Sequence, residues 1–204
     1  MVSGPITADV GTNKRLIVGI SGASGAIYGI RLLEVLAERP EIETHLVITK
    51  TARLIISQET DRTVAQIEAL ADFAYAPDDL TASIASGSFA TDGMIIAPCS
   101  IKTLSAVANS YAADLVARAA DVTLKEGRPL ALLVRETPLH PGHLRLMARA
   151  AEAGAIIFPP VPAFYGRPQT VAEIVDGTVG RVLARLGVEN ALYTRWGEGD
   201  KEAM

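Results

Sequence analysis

The chain has a single cysteine, Cys99, among 204 residues, so an internal disulfide framework is excluded and a reducing, cytoplasmic compartment is expected. Apolar runs are all shorter than the roughly 18 residues a membrane span needs. The opening "MVSGPITADVGTN" lacks both a basic start and an apolar stretch, so it reads as a frayed tail and not as a signal peptide. No excess of positive charge is present. The net charge is −4 with 21% charged residues, which gives no footprint for nucleic acid. Aromatic residues make up only 5%. Alanine and other small residues abound instead, which suits closely packed helices or a large subunit interface.

What is present is 49% apolar content, enough for one sizeable core and too little for two comfortable domains. The expected division is a tail over 1–13, one domain over 14–197 and a second tail over 198–204. Short β-branched runs alternate with helical patterns. Strands are expected at 15–20, 44–50, 92–100, 128–136 and 155–160. Helices are expected at 26–38, 52–59, 63–71, 101–109, 112–126, 142–154 and 170–187, with Gly154 ending the sixth. This alternation predicts one doubly wound α/β domain, Rossmann-like or flavodoxin-like, with a mostly parallel sheet. Ligands of such sheets sit beyond the carboxyl ends of the strands. Four segments should therefore converge there: 20–25, the stretch after Thr49, 98–103 and 135–139.

The first of these, "GISGASG" (19–25), departs from the dinucleotide fingerprint. Ser21 stands where the second glycine belongs, and the second strand ends Ile48-Thr49-Lys50 without the acid that grips a ribose. NAD is disfavoured. A Ser/Gly turn entering a helix still offers amides and hydroxyls to an anion, and a mononucleotide phosphate such as that of FMN fits it better. A plain tight turn is the competing reading. In "APCSIKTLSAVA" (97–108), Ser100 reads as a helix cap that could also hydrogen-bond a flavin edge or phosphate. Cys99 reads as a small buried residue more than as a nucleophile. Arg118 and Lys125 share a helix face with Asp114 and Asp121, so internal ion pairs compete with ligand binding. Arg135-Glu136-Thr137-Pro138 follows an apolar strand, where a sheet would expose either an acid–base pair or a solvated one. His140 and His143 lack a third ligand of suitable spacing, so no metal site is expected. His45 sits inside a strand pattern and reads as structural.

Taken together, "GISGASGAIYGIRLL", "ASGSF", "PCSIKTLS", "RAADVTLKE" followed by "RPL", "RETPLH", "PPVPAFYGRPQT" and the late "RW" closely resemble the UbiX-type flavin prenyltransferases. These form part of the flavin-containing Cys decarboxylase-like superfamily. The motifs run in the same order over residues 14–197. "NSYAADL" looks like the subgroup associated with hydroxyarylic-acid decarboxylases. The resemblance implies that reduced FMN is a substrate and dimethylallyl phosphate the prenyl donor. It implies bond formation at flavin N5, loss of phosphate and ring closure at C6, without a metal. The prenylated FMN would pass to a UbiD-type decarboxylase, and the enzyme would be a homo-oligomer, commonly a dodecamer.

By the same resemblance, Gly22, Ala23, Ser24, Thr49, Ser100, Ile101, Lys102, Thr103 and Arg135 match flavin-binding positions. Glu136 matches the catalytic carboxylate, with Ser24 relaying a proton. Lys125, Tyr165 and Arg181 match positions holding the allylic phosphate. Glu59 and Arg118 match further polar positions lining the site from across subunits. Two departures stand out: Leu80, where some members carry a tryptophan over the prenyl pocket, and Ala113-Asp114, where many have Asp-Asn. An oxidative decarboxylase of the same fold, acting on a cysteine, would need a histidine early in the chain, and only His45 lies between Ser24 and Thr49. A non-catalytic flavin carrier is the remaining alternative.

Overall fold

The structure, a computed structural model, describes residues 14–197. The expected terminal tails lie outside the described residues. In chain order the elements are β1 (Lys14–Ile20), α1 (Ala26–Ala37), β2 (Ile42–Ile48), α2 (Lys50–Glu59), α3 (Val64–Glu68), β3 (Phe73–Tyr75) and a 3-10 turn (Ser83–Ala85). They continue with β4 (Gly93–Cys99), α4 (Ile101–Ala108), α5 (Leu115–Lys125), β5 (Leu130–Val134), α6 (Pro141–Glu152), β6 (Ile156–Ile157) and α7 (Val171–Arg185).

The strands form one sheet in the order β3-β2-β1-β4-β5-β6, and every pairing is parallel. The order reverses direction between β1 and β4, which places the topological switch point beside the Ser/Gly turn. The strands carry no polar alternation because both faces are covered. Leu16, Val18 and Ile20 of β1 enter the core beneath α1, α2 and α7. Ile17 of the same strand joins Met94, Ile96 and Leu132 under α4 and α5. Each such side chain contributes about 1.5–3 kcal/mol on burial, far above any strand propensity term.

The expected α/β alternation is present, with differences at the ends of elements. The second strand stops at Ile48 and not at Lys50, because the Thr49 hydroxyl accepts the Ala52 N–H at 3.2 Å and starts α2. The fifth helix begins at Leu115 and not at 112, because Asp114 caps it by accepting from Ala117 N at 3.0 Å. The strand expected over 128–136 spans only Leu130–Val134, so Arg135 and Glu136 follow its end. α3 is shorter than expected, closed at its start by a reciprocal Thr63–Gln66 capping box. β3 was not expected from the sequence. Its three residues at the sheet edge leave Phe73 47% exposed, so no alternation marks them. Gly154 follows the last turn of α6 with φ +104, as its type predicts. The Ala97–Pro98 and Thr137–Pro138 peptide bonds are cis.

One glycine fixes how α1 lies on the sheet. A Cβ at Gly29 would stand 2.2 Å from the Ala97 carbonyl oxygen and 2.9 Å from the Ile20 side chain. Alanine would gain about 1 kcal/mol of helix propensity over glycine, but overpacking against a backbone atom costs about 1–3 kcal/mol and cannot be relieved by a rotamer. With a 2.2 Å approach to a backbone oxygen the cost stands at the top of that range, and Gly29→Ala is therefore expected to lower stability by about 2 kcal/mol net, read as the urea midpoint. A midpoint equal to that of the parent would contradict the close approach.

Candidate active site

Four chain segments meet beyond the carboxyl ends of β1, β2, β4 and β5. Ser21, 1% exposed, donates its hydroxyl to Pro98 O at 2.8 Å and accepts the Ser100 N–H at 2.8 Å. Its own N–H reaches Pro98 O at 3.2 Å. Thr49 N donates to Ile20 O, and Arg135 N donates to Cys99 O, each at 3.0 Å. A Cβ at Gly22 would fall 2.5 Å from Thr51 Cγ2, so the turn rests directly on the first residues of α2. Ser100 caps α4 by accepting from Thr103 N at 3.3 Å, and its hydroxyl faces that of Thr103 at 3.2 Å.

The start of α1 already holds an anion of the chain's own. Gly25, at φ +100, and Ala26 donate their N–H groups to Glu59 Oε2 at 2.8 and 3.2 Å. The sequence reading left these amides for a ligand phosphate, and it placed Glu59 across a subunit boundary. The structure instead brings Glu59 to the turn from the last position of α2 in the same chain. Partial burial raises the Glu59 carboxyl pKa, but hydrogen bonds from Ser24, Gly25 and Ala26, with the charge of Arg135, outweigh this and hold it below its ordinary value. The guanidinium of Arg135 also opposes the upward shift that burial imposes on the Tyr28 hydroxyl. Ser24, Tyr28, Glu59 and Arg135 therefore share one electrostatic environment. Glu136, next in the chain and exposed, accepts the Thr137 N–H at 3.0 Å.

The remaining expected residues fall into three places. Gly22, Ala23, Ile101, Lys102 and Thr103 line the switch point with the groups above, and Lys102 pairs with the helix cap Asp114 at 3.6 Å. Arg118 and Lys125 lie on α5, which runs back across the sheet. Pro129, just past its end, accepts the N–H of Met94 at the start of β4, so Lys125 stands at the amino-terminal edge. Arg118, in the first turn of α5, pairs with Asp121 at 3.2 Å and donates to Ala85 O at 3.1 Å, while Lys125 pairs with Glu126. Tyr165 and Arg181 share a third place, a cavity of about 260 Å³ on the outer side of α7. Tyr165 meets Trp196 edge-on at 5.3 Å, and Arg181 lies over the Phe158 ring at 5.8 Å. Leu80 is 51% exposed.

Cys99 is fully buried, and burial pushes its thiol pKa far up, so it offers no thiolate. His140 caps α6 through Nδ1, which accepts the Gly142 N–H at 3.0 Å. Among the described residues no three His, Cys, Asp or Glu side chains are grouped to hold a metal ion. Among the described residues no helix is long and apolar enough to cross a membrane. Sequence reasoning missed the work of Ser21 and Tyr28. Ser21 was visible as the residue replacing a fingerprint glycine, whereas nothing marked Tyr28.

A parallel six-stranded sheet with serine, threonine and arginine donors gathered at its switch point defines a nucleotide-binding α/β protein of the flavin type. The donors suit a ligand rich in acceptors, as the phosphate and ring carbonyls of a flavin mononucleotide are. The chain belongs to the Flavoprotein family, whose family model matches residues 7–183, and within it to the UbiX flavin prenyltransferases. It is 59% identical to the flavin prenyltransferase UbiX of Escherichia coli K12 over 185 residues, 90% of this chain and 98% of that one. A dodecameric FMN-dependent UbiX-like decarboxylase from Escherichia coli O157:H7 superposes with a TM-score of 0.87 at 50% identity, over 89% of this chain and 98% of that one. AnUbiX (PadA1), solved with FMN and dimethylallyl pyrophosphate, superposes with a TM-score of 0.88 at 45% identity, over 90% and 97% of the two chains.

The Glu59 contacts predict a pH dependence. A carboxyl held low in the folded state stabilises that state when ionised. The contribution is complete above the ordinary carboxylate value of 4.5 and is lost as pH falls through the lowered folded value. Glu59→Ala should cost up to about 1 kcal/mol at neutral pH, limited by solvent screening of an exposed group. The gap to the parent should close in acid. Equal urea midpoints at neutral pH would show that the carboxylate caps nothing.

Proposed function

We infer that this chain is a metal-independent flavin prenyltransferase. It transfers the dimethylallyl group of dimethylallyl phosphate to N5 of reduced FMN, and closes a ring at C6. The observation that carries this reading is the grouping of Ser24, Glu59 and Arg135 at the turn after β1, with Glu136 next in the chain to Arg135, in a chain belonging to the UbiX flavin prenyltransferases. The flavin supplies the nucleophilic N5 and the π face along which an allylic cation is stabilised. Everything else falls to side chains of the protein.

Gly22, Ala23 and Ser24, with Thr49, Ser100, Ile101, Lys102, Thr103 and Arg135, bind and orient the flavin. Hydroxyls and amides at strand ends suit this task because the sheet behind them is rigid. Glu136 stands free of the strand ladder and takes the proton that leaves C6 as that carbon bonds to the transferred group, whose alkene takes up a proton in exchange, with Ser24 as the relay. Loss of phosphate from the donor builds negative charge on oxygen. Lys125, Tyr165, Arg181 and Arg118 present cations and a hydroxyl for that charge. Within one chain Lys125 lies at the opposite edge of the sheet from Glu136, so a neighbouring copy supplies it. The working enzyme is thus a homo-oligomer, and a dodecamer is the form proposed. Its prenylated product goes to a UbiD-type decarboxylase.

A cysteine-type oxidative decarboxylase would need a histidine at the carboxyl edge early in the chain. His45, 1% exposed, instead lies within β2 between Glu43 and Tyr75, which disfavours that alternative. A flavin carrier is separated by experiment. Protein given reduced FMN and dimethylallyl phosphate should yield flavin heavier by one five-carbon unit in mass spectrometry. Unmodified FMN with both the monophosphate and the diphosphate donor would reject the prenyltransferase reading. Glu136→Gln should keep FMN affinity while turnover falls by about 10²–10⁴-fold. Parental turnover in that variant would remove Glu136 from the mechanism.

A further inference from the structure

The segment Ser83–Phe89 has a part in the site that the residue assignments above leave out. Arg118 Nε donates to Ala85 O at 3.1 Å. A Cβ at Gly87 would lie 2.5 Å from Lys125 Nζ. The two α5 cations therefore rest against this segment, and its course decides where they point. Its Gly87–Phe89 part is fixed by Arg128, which donates to Gly87 O and Phe89 O, both at 3.0 Å.

Its beginning is fixed from the sheet. Arg15 Nε donates to Glu43 Oε1 at 2.8 Å. The same oxygen lies 2.9 Å from His45 Nε2. His45 Nδ1 lies 2.9 Å from the Tyr75 hydroxyl, which in turn lies 3.1 Å from Ser83 Oγ. The imidazole also stacks on Phe73 at 5.0 Å and meets Phe89 edge-on at 5.2 Å. One buried ring therefore touches the far end of the segment directly and reaches its first residue through a single hydroxyl. Burial lowers the His45 pKa, while Glu43 raises it in part and Arg15 and Asp72 act in opposite senses, so the neutral ring is the form at neutral pH. With Nε2–H donating to Glu43, Nδ1 must accept from Tyr75, and Tyr75 then accepts from Ser83. Every member has a partner, which is the condition under which a buried polar chain specifies one geometry.

We propose that His45 is a positioning residue for prenyl-donor binding: through Tyr75 and Ser83 it sets segment 83–89, and the segment sets Arg118 and Lys125 against the donor phosphate. The proposal rests on the prenyltransferase reading for the task of those two cations, but the mechanical link does not. It separates donor binding from flavin binding, because among the described residues no hydrogen bond joins segment 83–89 to the flavin loops at 22–24 and 100–103.

Tyr75→Phe tests it by deleting one oxygen while keeping the ring. Amide hydrogen exchange is measured over 84–89 and over 22–26, together with FMN affinity, kcat and the KM for dimethylallyl phosphate. The expected result is faster exchange at 84–89 only, FMN affinity and kcat within about twofold, and a donor KM raised roughly fivefold, the size of one lost hydrogen bond. His45→Asn keeps an acceptor facing Tyr75 but loses Glu43, and should fall between the parent and Tyr75→Phe. An unchanged donor KM with unchanged exchange in folded Tyr75→Phe overturns the proposal, and so does an equal loss of FMN affinity, which would mark general loosening. If the parent itself leaves FMN unmodified, the prenyltransferase reading fails and the donor half of the proposal fails with it. Exchange at 84–89 then decides the link between His45 and the segment: an increase supports it and none rejects it.

Discussion

Ser21 has its hydroxyl between Pro98 O and Ser100 N, and that pair of hydrogen bonds joins the two strands from which the chain departs in opposite directions. A doubly wound sheet opens a crevice at this point by topology alone, but topology does not fix its width. The hydroxyl does so at a site with 1% exposure, where leaving either partner unpaired costs about 1–3 kcal/mol. The turns that follow β1 and β4 thereby become one rigid body. Thr49 N and Arg135 N attach the neighbouring strand ends to it. A glycine at position 21, as a dinucleotide fingerprint has it, would leave this crevice unlatched.

The sheet and the helices packed on it were legible in the sequence because their signals are long: apolar runs covered on both faces and apolar residues at helical spacing, with Ser100 readable as the cap of α4. β3 was not legible, since three residues at an edge carry no periodicity and owe their pairing to β2. Ends of elements shifted wherever a side chain bonded to the backbone, as at Thr49 and Asp114, because a run of apolar residues does not reveal which hydroxyl or carboxylate will cap. At the site, the convergence of four strand ends followed from the fold class. The occupancy of the α1 amides by Glu59 did not, because the contact spans 34 positions and joins residues that no local pattern links. His45 was rightly read as belonging to a strand, but its neighbours Tyr75, Phe73 and Phe89 come together only through the sheet edge and the segment beyond it.

The same fold explains why one chain divides its polar groups. Helices of a parallel sheet return antiparallel to the strands, so a helix begun at the carboxyl edge carries its last turn to the amino edge. Lys125 is delivered to that edge by α5, while Arg135 and Glu136 emerge from β5 at the other. The two cations of α5 are satisfied locally, Arg118 by Asp121 and Lys125 by Glu126.

The burial of Cys99 has a practical side. As the single sulfhydryl in 204 residues, enclosed and held protonated, it leaves the native surface inert to maleimides and iodoacetamides. A cysteine introduced at any exposed position would become the sole attachment point for a fluorophore or spin label, with no background to remove.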